Sequence, residues 1–203
     1  IDNPKSNTNP LFPPQWITQQ FPIDTSEKSI WGQPIVFDGD TFLLNGHHIR
    51  LYGIDAPETE QLCRQNQHVR ACGQESKNFL AQQIEHQTIF CQIHYRDISQ
   101  RLISTCYTKD FNINAMLTQN GLAMPWQNAQ TPYTPLAQHA KENQNGLWAT
   151  TFLHPNEWRQ KKWAFEQQQQ FNQRYDKAKS DPFPFVPFGQ SPDNRNNPVF
   201  VPN

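Results

Sequence analysis

The chain has little that would carry it into a membrane or hold it by charge alone on a polyanion. Among its 203 residues no apolar run reaches eighteen, so no transmembrane helix and no membrane insertion are expected. Lysine and arginine (17) nearly balance aspartate and glutamate (18), which removes the global positive field that holds many proteins non-specifically on nucleic acid. Phosphate binding would therefore need a local site, with a metal as the natural source of positive charge. No G-x-S-x-G is present, so a serine nucleophile finds no support. None of the four cysteines falls in a C-x-x-C pair, which weakens a zinc site. Seven histidines are scattered or, at His47-His48, flank a tight turn, and are expected on the surface or in packing roles.

Apolar residues are also scarce, at 35%, while prolines number 17, so a sizeable part of the chain is not core. The length suits one domain with appendages. The chain begins without Met and shows no signal peptide, as expected of a processed or trimmed form. Residues 1–28, rich in Pro and Asn without periodicity, suggest an extended N-terminal arm, and residues 29–158 the folded domain. Residues 159–203 are expected to be a C-terminal helix followed by a Pro-rich tail, D-P-F-P-F-V-P-F, that folds back or meets a protein partner.

Within the domain, short β-rich runs up to Gly53 alternate with turn signals. Asn45-Gly46 predicts a type I′ hairpin that pairs Leu44 with His47 and Thr41 with Arg50. Gln74 to Ile84 has apolar residues on one helical face. Two further strands, T-I-F-C-Q-I-H-Y and R-L-I-S-T-C-Y, form a hairpin if the turn is centred between Ile98 and Ser99. Cys91 then lies opposite Cys106, with Cα atoms about 4.5–5.5 Å apart and within disulfide reach. Helical periods return before Gly121 and Gly146, each expected as a C-cap. Strands and helices without strict alternation indicate a small α+β fold on a closed or nearly closed sheet.

The segment D-G-D-T-F-L-L-N-G-H-H-I-R-L-Y-G-I-D-A-P-E, residues 38–58, concentrates Asp38, Asp40, Asp55 and Glu58 near the ends of one hairpin. Clustered carboxylates repel unless a cation neutralises them, and oxygen ligands suit Ca²⁺ or Mg²⁺. Arg50 between them offers a planar fork for phosphate oxygens. Metal, arginine and a spare carboxylate supply what phosphodiester hydrolysis needs: charge neutralisation, transition-state stabilisation and a base for water. The plainer alternatives are that the acids cap turns and that the arginines are structural ion-pair partners.

This segment resembles the first signature of the thermonuclease family, the staphylococcal-nuclease type of secreted nuclease. D-I-S-Q-R-L-I-S resembles the second signature, D-x-Y-G-R, and aligns its arginine with Arg101; N-A-M-L-T-Q-N-G-L-A and A-K-E-N-Q-N-G-L-W resemble a third segment. The resemblance covers about residues 30–158. It implies an OB-type β-barrel of five strands with three helices, and a Ca²⁺ site made by Asp40, Asp55 and the backbone carbonyl of Ala56. It further implies Glu58 as general base, and Arg50 and Arg101 as the grip on the scissile phosphate, Arg101 also aiding the leaving oxygen. The implied activity is sequence-tolerant endonucleolytic cleavage of DNA and RNA to 3′-phosphate ends, by a monomer with single strands preferred. Trp126, just after G-L-A-M-P, is a candidate for stacking a base, with a packing role as the equal alternative. P-E-T-E-Q-L-C, A-C-G-Q-E-S, I-F-C and S-T-C resemble exported Gram-negative members, which implies bridges Cys63–Cys72 and Cys91–Cys106 and a secreted or periplasmic protein. Departures are Ser99-Gln100 where the family has Tyr-Gly, Ala137 where it has a glutamate, and the near-neutral charge. The rival expectation is a catalytically weak OB module that binds nucleic acid or protein. Degenerate copies of that kind lose the carboxylate and arginine set, which is intact here.

Overall fold

A computed structural model describes residues 14–20, 28–126 and 131–180. The rest of the N-terminal arm and the Pro-rich tail from residue 181 lie outside the described residues. The chain divides into two compact units, Ile1–Arg159 and Gln160–Asn203.

In the first unit, helix α1 (Gln15–Gln20) is followed by β1 (Ser29–Gly32), β2 (Pro34–Asp38), β3 (Thr41–Leu44), β4 (His47–Leu51) and β5 (Ile54–Asp55). Then come β6 (Cys63–Gln65), β7 (His68–Arg70), α2 (Cys72–Ile84), β8 (Ile89–Arg96), β9 (Leu102–Tyr107), α3 (Ile113–Gln119), β10 (Met124–Pro125) and α4 (Thr134–Glu142). Helix α5 (Pro155–Ser180) begins in this unit and supplies the described part of the second. Beyond Gln160 its rings at Trp163, Phe165, Phe171 and Tyr175 are exposed.

The main sheet has six strands in the order β1-β8-β9-β4-β3-β2, with two short ladders, β5–β10 and β6–β7, beside it. All its pairs are antiparallel except β4–β9. The sheet curls as a half-barrel does, bringing its edge back toward the β3–β4 turn, where Asn45 Nδ2 donates to the Trp31 carbonyl at 2.7 Å. The expected five strands with three helices become six in the main sheet and five α-helices among the described residues. The added strand is β1, which Gln33 separates from β2 and which pairs with the outer edge of β8. Helix α5 is the expected C-terminal helix, starting at Pro155; the added helix is α1. Gln15–Gln20 fall in the arm expected to be extended. They coil because Ile17 is fully buried and its N–H closes a turn on the Pro14 carbonyl at 2.9 Å.

Local chemistry accounts for the register. Asn45 and Gly46 have φ of 50° and 79°, the pair of left-handed residues that a type I′ turn requires. Leu44 faces His47 and Thr41 faces Arg50, as the turn predicts. Cys91 faces Cys106, and the two are bridged. The hairpin around them is not the simple one expected, because the register slips by one residue between Ile93 and Tyr95. The second bridge joins Cys63 to Cys72 at the head of α2.

Phe42, Leu44, Ile49, Leu51, Ile89 and Leu102 from the sheet pack against Leu80 and Ile84 of α2 and Ile113 and Leu117 of α3. Burying each such side chain contributes about 1.5–3 kcal/mol, so the curled sheet and its two helices form one core. Asn114, fully buried, ties α3 to the sheet: its Oδ1 accepts from the Cys106 N–H at 3.0 Å and its Nδ2 donates to the Tyr52 carbonyl at 2.9 Å. Gly121 (φ 67°) follows the α3 cap as expected. At α4 the left-handed position after the cap is Gln144 (φ 53°), not Gly146. Gly146 instead backs onto the Gly121 carbonyl, which a Cβ would approach to 2.4 Å. No described helix is long and apolar enough to cross a membrane.

Replacing both Cys91 and Cys106 by Ala should lower stability to urea by about 2–4 kcal/mol, since it frees a loop in the unfolded chain. An unchanged urea midpoint would contradict the bridge.

Candidate active site

Each acidic group is fixed by a different piece of backbone. Asp40 sits in the β2–β3 turn, and its carbonyl accepts from the Leu51 N–H at 3.0 Å. Asp55 ends β5, which β10 holds through the pair Met124 and Asp55. Glu58 follows on a loop pressed against the head of α2, where a Cβ on Gly73 would stand 1.7 Å from the Glu58 carbonyl oxygen. Glycine at 73 is therefore what lets the helix and the Glu58 loop meet. The parallel β4–β9 pair sets Ile49 beside Leu102, so Arg101 is delivered to the end of the sheet that carries Arg50. Trp126 leaves β10 with its N–H on the Gly53 carbonyl at 3.0 Å.

Arg50 is the hinge of the cluster. Its Nη1 donates to Asp40 Oδ1 at 3.1 Å and its Nη2 to Asp55 Oδ1 at 2.6 Å. The other Asp40 oxygen accepts from the Ala56 N–H at 2.9 Å. Asp55 is 0% exposed and Asp40 3%. Burial works against the Arg50 charge, but Asp40 and Asp55 outweigh it and hold the guanidinium above its ordinary pKa.

A residue that the sequence pattern did not single out completes the cluster. Arg159, in the opening turns of α5, places Nη1 3.0 Å from Asp55 Oδ1 and Nη2 3.0 Å from Asp55 Oδ2. The same Nη1 donates to Glu58 Oε1 at 2.7 Å. Burial opposes the Arg159 charge, and the bonds to Asp55 and Glu58 more than offset it, so its pKa is raised. Burial also pushes Asp55 upward, helped by the charge of Asp40 and opposed by Arg159 and Arg50. Glu58 is raised by burial and by neighbouring Asp38, against the pull of Arg159. Asp38 itself is a turn residue, its Oδ1 accepting from the Gly39 N–H and the Thr59 hydroxyl, both at 2.9 Å.

Arg50, Glu58, Arg101, Trp126 and Arg159 line one open cavity of about 440 Å³. Arg101 is turned toward Asp97, with Nε 2.8 Å and Nη2 2.7 Å from Asp97 Oδ2. Gln100, at the family's glycine position, adopts the left-handed φ of 63° that glycine would favour. Trp126 is 43% exposed, with the Arg50 and Arg159 guanidinium carbons 5.3 and 5.9 Å from its ring centre. The structure thus brings Asp40, Arg50, Asp55, Glu58, Arg101 and Trp126 to one place, with the Ala56 backbone bonded into it.

Asp40, Asp55, Glu58 and the Ala56 carbonyl are an all-oxygen donor set of the kind hard dications take. The Arg159 guanidinium, seated on Asp55 and Glu58, is a stand-in cation at that set. In charge and donor chemistry the residues fit a divalent ion. Among the described residues no three His, Cys, Asp or Glu side chains are gathered as a ready metal cage.

A family model described as "Staphylococcal nuclease homologue" matches residues 48–150. Arg50, Asp55, Ala56, Glu58, Arg101 and Trp126 lie inside that span, Asp40 before it and Arg159 after it. The chain is also similar to "Succinoglycan biosynthesis protein ExoI" of Rhizobium meliloti (strain 1021), 32% identical over 125 residues, which are 60% of this chain and 65% of that protein. It is similar to "Probable endonuclease LCL3" of Leptosphaeria maculans as well, 26% identical over 114 residues, 50% of this chain and 37% of that protein. The match thus spans less than two thirds of either relative's length.

If Arg159 holds the carboxylates as a stand-in cation, Arg159→Gln should bind Ca²⁺ at least several-fold more tightly in titration calorimetry. Arg101→Gln, which removes the same charge from the same cavity, should change Ca²⁺ affinity much less. Equal effects of the two substitutions, or none, would contradict the competition.

Proposed function

The chain belongs to the staphylococcal nuclease homologue family, and from that premise we propose that it is a Ca²⁺-dependent, sequence-tolerant endonuclease that cleaves DNA and RNA to 3′-phosphate ends. The observation that carries this is Arg50, which binds Asp40 and Asp55 while lining, with Glu58 and Arg101, a single open cavity. The printed name of the Leptosphaeria maculans relative, a probable endonuclease, supports the same chemistry.

Asp40, Asp55 and the Ala56 carbonyl would hold the metal, which when bound supplies charge neutralisation at the phosphate. Glu58, its pKa raised by burial, takes a proton from the attacking water; a base whose pKa approaches working pH is suited to that step. Arg50 and Arg101 hold the non-bridging phosphate oxygens through planar forks. The water oxygen bonds to phosphorus as the bond from phosphorus to the 5′ oxygen breaks. That oxygen leaves as an alkoxide whose developing charge Arg101 steadies, and it then takes up a proton from solvent.

Charge explains why the metal matters. Asp40, Asp55 and Glu58 against Arg50 and Arg159 leave the cluster one unit negative, which repels a phosphodiester. A dication taking the place of Arg159 would bring it to neutral and lift that repulsion. The two disulfides support an oxidising compartment, periplasmic or extracellular. A second function, a binding module without catalysis, is favoured by one observation: Arg101 and Arg159 are both already engaged by acids.

Plasmid DNA and a structured RNA incubated with the protein and Ca²⁺ separate the two. Cleavage should stop in EGTA and fall by about 10²-fold or more in Glu58→Gln, the usual contribution of a general base. Undiminished cleavage in EGTA or in Glu58→Gln would overturn the mechanism. Binding without cleavage by the unsubstituted protein would leave the module.

A further inference from the structure

Strand β2 is an edge of the main sheet, and Ile35 and Phe37 on it are 53% and 44% exposed. Its pairing with β3 slips between Val36–Phe42 and Asp38–Thr41, which leaves Phe37 as the extra residue of a β-bulge. Bulges bend a strand locally and re-aim a side chain. Here the Phe37 ring lies stacked on His48 of β4, with centroids 5.5 Å apart and planes 26° apart. His48 is itself exposed, and both rings line the cavity of about 440 Å³ that holds Arg50, Glu58 and Arg101.

A second cavity, of about 470 Å³, shares Arg50, Arg101 and Trp126 with the first but is walled by Tyr52, Tyr95 and Ile98 instead. The two guanidinium groups therefore stand where the cavities meet. A phosphodiester gripped at that junction carries one nucleoside on each side, and each side has its own aromatic wall. We infer that Phe37 and His48 form a stacking platform for the nucleobase on one side of the scissile phosphate. This rests on the nuclease function proposed above and specifies its substrate further.

The chemistry favours a base over other apolar groups. Aromatic faces stack on any of the bases, so such a platform adds affinity without imposing sequence. The ligand must also join a flat apolar face to an anion, because the platform and the arginines line the same cavity. A base lying on Phe37 is unpaired. The platform therefore selects single strands or locally opened duplex, of DNA or RNA alike.

The test uses the full chain in a Glu58→Gln background with Ca²⁺, so that ligand is bound and not cut. Three probes are titrated by calorimetry: the dinucleotide TpT, and its two forms lacking either the 5′ or the 3′ base. Phe37→Ala should weaken TpT binding about tenfold, the usual loss when a stacking ring is removed. It should leave one of the two base-lacking dinucleotides unaffected, and that probe identifies which nucleoside the platform holds. His48→Ala should show the same probe dependence, and Phe37→Tyr should restore binding; both rings are exposed, so the fold tolerates these changes. Equal TpT affinity with and without Phe37, or an equal loss for all three probes, would overturn the platform while leaving the nuclease site intact. Failure of the parent to bind TpT, together with no effect of Arg101→Ala, would overturn the phosphate site and the platform with it.

Discussion

The site depends on one carboxylate. Asp55 is fully buried, and a carboxylate out of water persists as an anion only if its charge is met by partners of good geometry. It accepts from Arg50 on one oxygen and from Arg159 on both. The two arginines reach in opposite directions through the chain. Arg50 carries the charge back to Asp40 and the hairpin, and Arg159 carries it forward to Glu58 and the head of the last helix. Hairpin, β5 loop and the opening turns of α5 are thereby joined at a single anion, and Trp126, which follows the β5–β10 ladder, lies against Arg50.

Such a cluster is preorganised rather than improvised. The Ala56 N–H already orients Asp40, the α2 glycine already fixes the Glu58 loop, and the parallel β4–β9 pair already aligns Arg101 with the cavity. A positioned electrostatic site stabilises a transition state without reorganising when the charge develops. On the proposed function, what must change before phosphate binds is the charge of the cluster, and exchange of Arg159 for a dication would take it from one unit negative to neutral. Its side chain is 29% exposed, against 26% for Glu58 and 0% for Asp55, the two charges it joins.

Much of this was legible in the residues, for reasons that differ from place to place. Asn45-Gly46 specifies its turn because both positions need positive φ, and the turn then fixes the pairing of Thr41 with Arg50. Cys91 and Cys106 could be paired from strand arithmetic near the bridge, although the slip at Ile93 and Tyr95 defeated the simple turn beyond it. The acids and Arg50 announced themselves by charge density in a chain otherwise poor in charge. Arg159 did not, because W-R-Q-K-K-W looks like an ordinary solvated helix, and only tertiary folding returns it to Asp55. One signal was present: a cation near the start of a helix opposes the helix dipole and calls for a carboxylate partner. The bulge at Phe37 was equally hidden, since alternation of V-F-D gives no sign of an extra residue. Strand β1 and helix α1 were missed because S-I-W-G is short and Gln15–Gln20 follow two prolines; what orders them is pairing with β8 and burial of Ile17.

The proposed exchange of Arg159 for a dication is tested directly by side-chain NMR. With arginine labelled by ¹⁵N, the Nε–Hε signals of Arg50, Arg101 and Arg159 can be assigned by substitution and followed as Ca²⁺ is added. The expected result is a saturable shift of the Arg159 signal with Ca²⁺ alone, and a shift of the Arg101 signal only when a dinucleotide follows. An Arg159 signal that stays in place at Ca²⁺ concentrations supporting cleavage would contradict it.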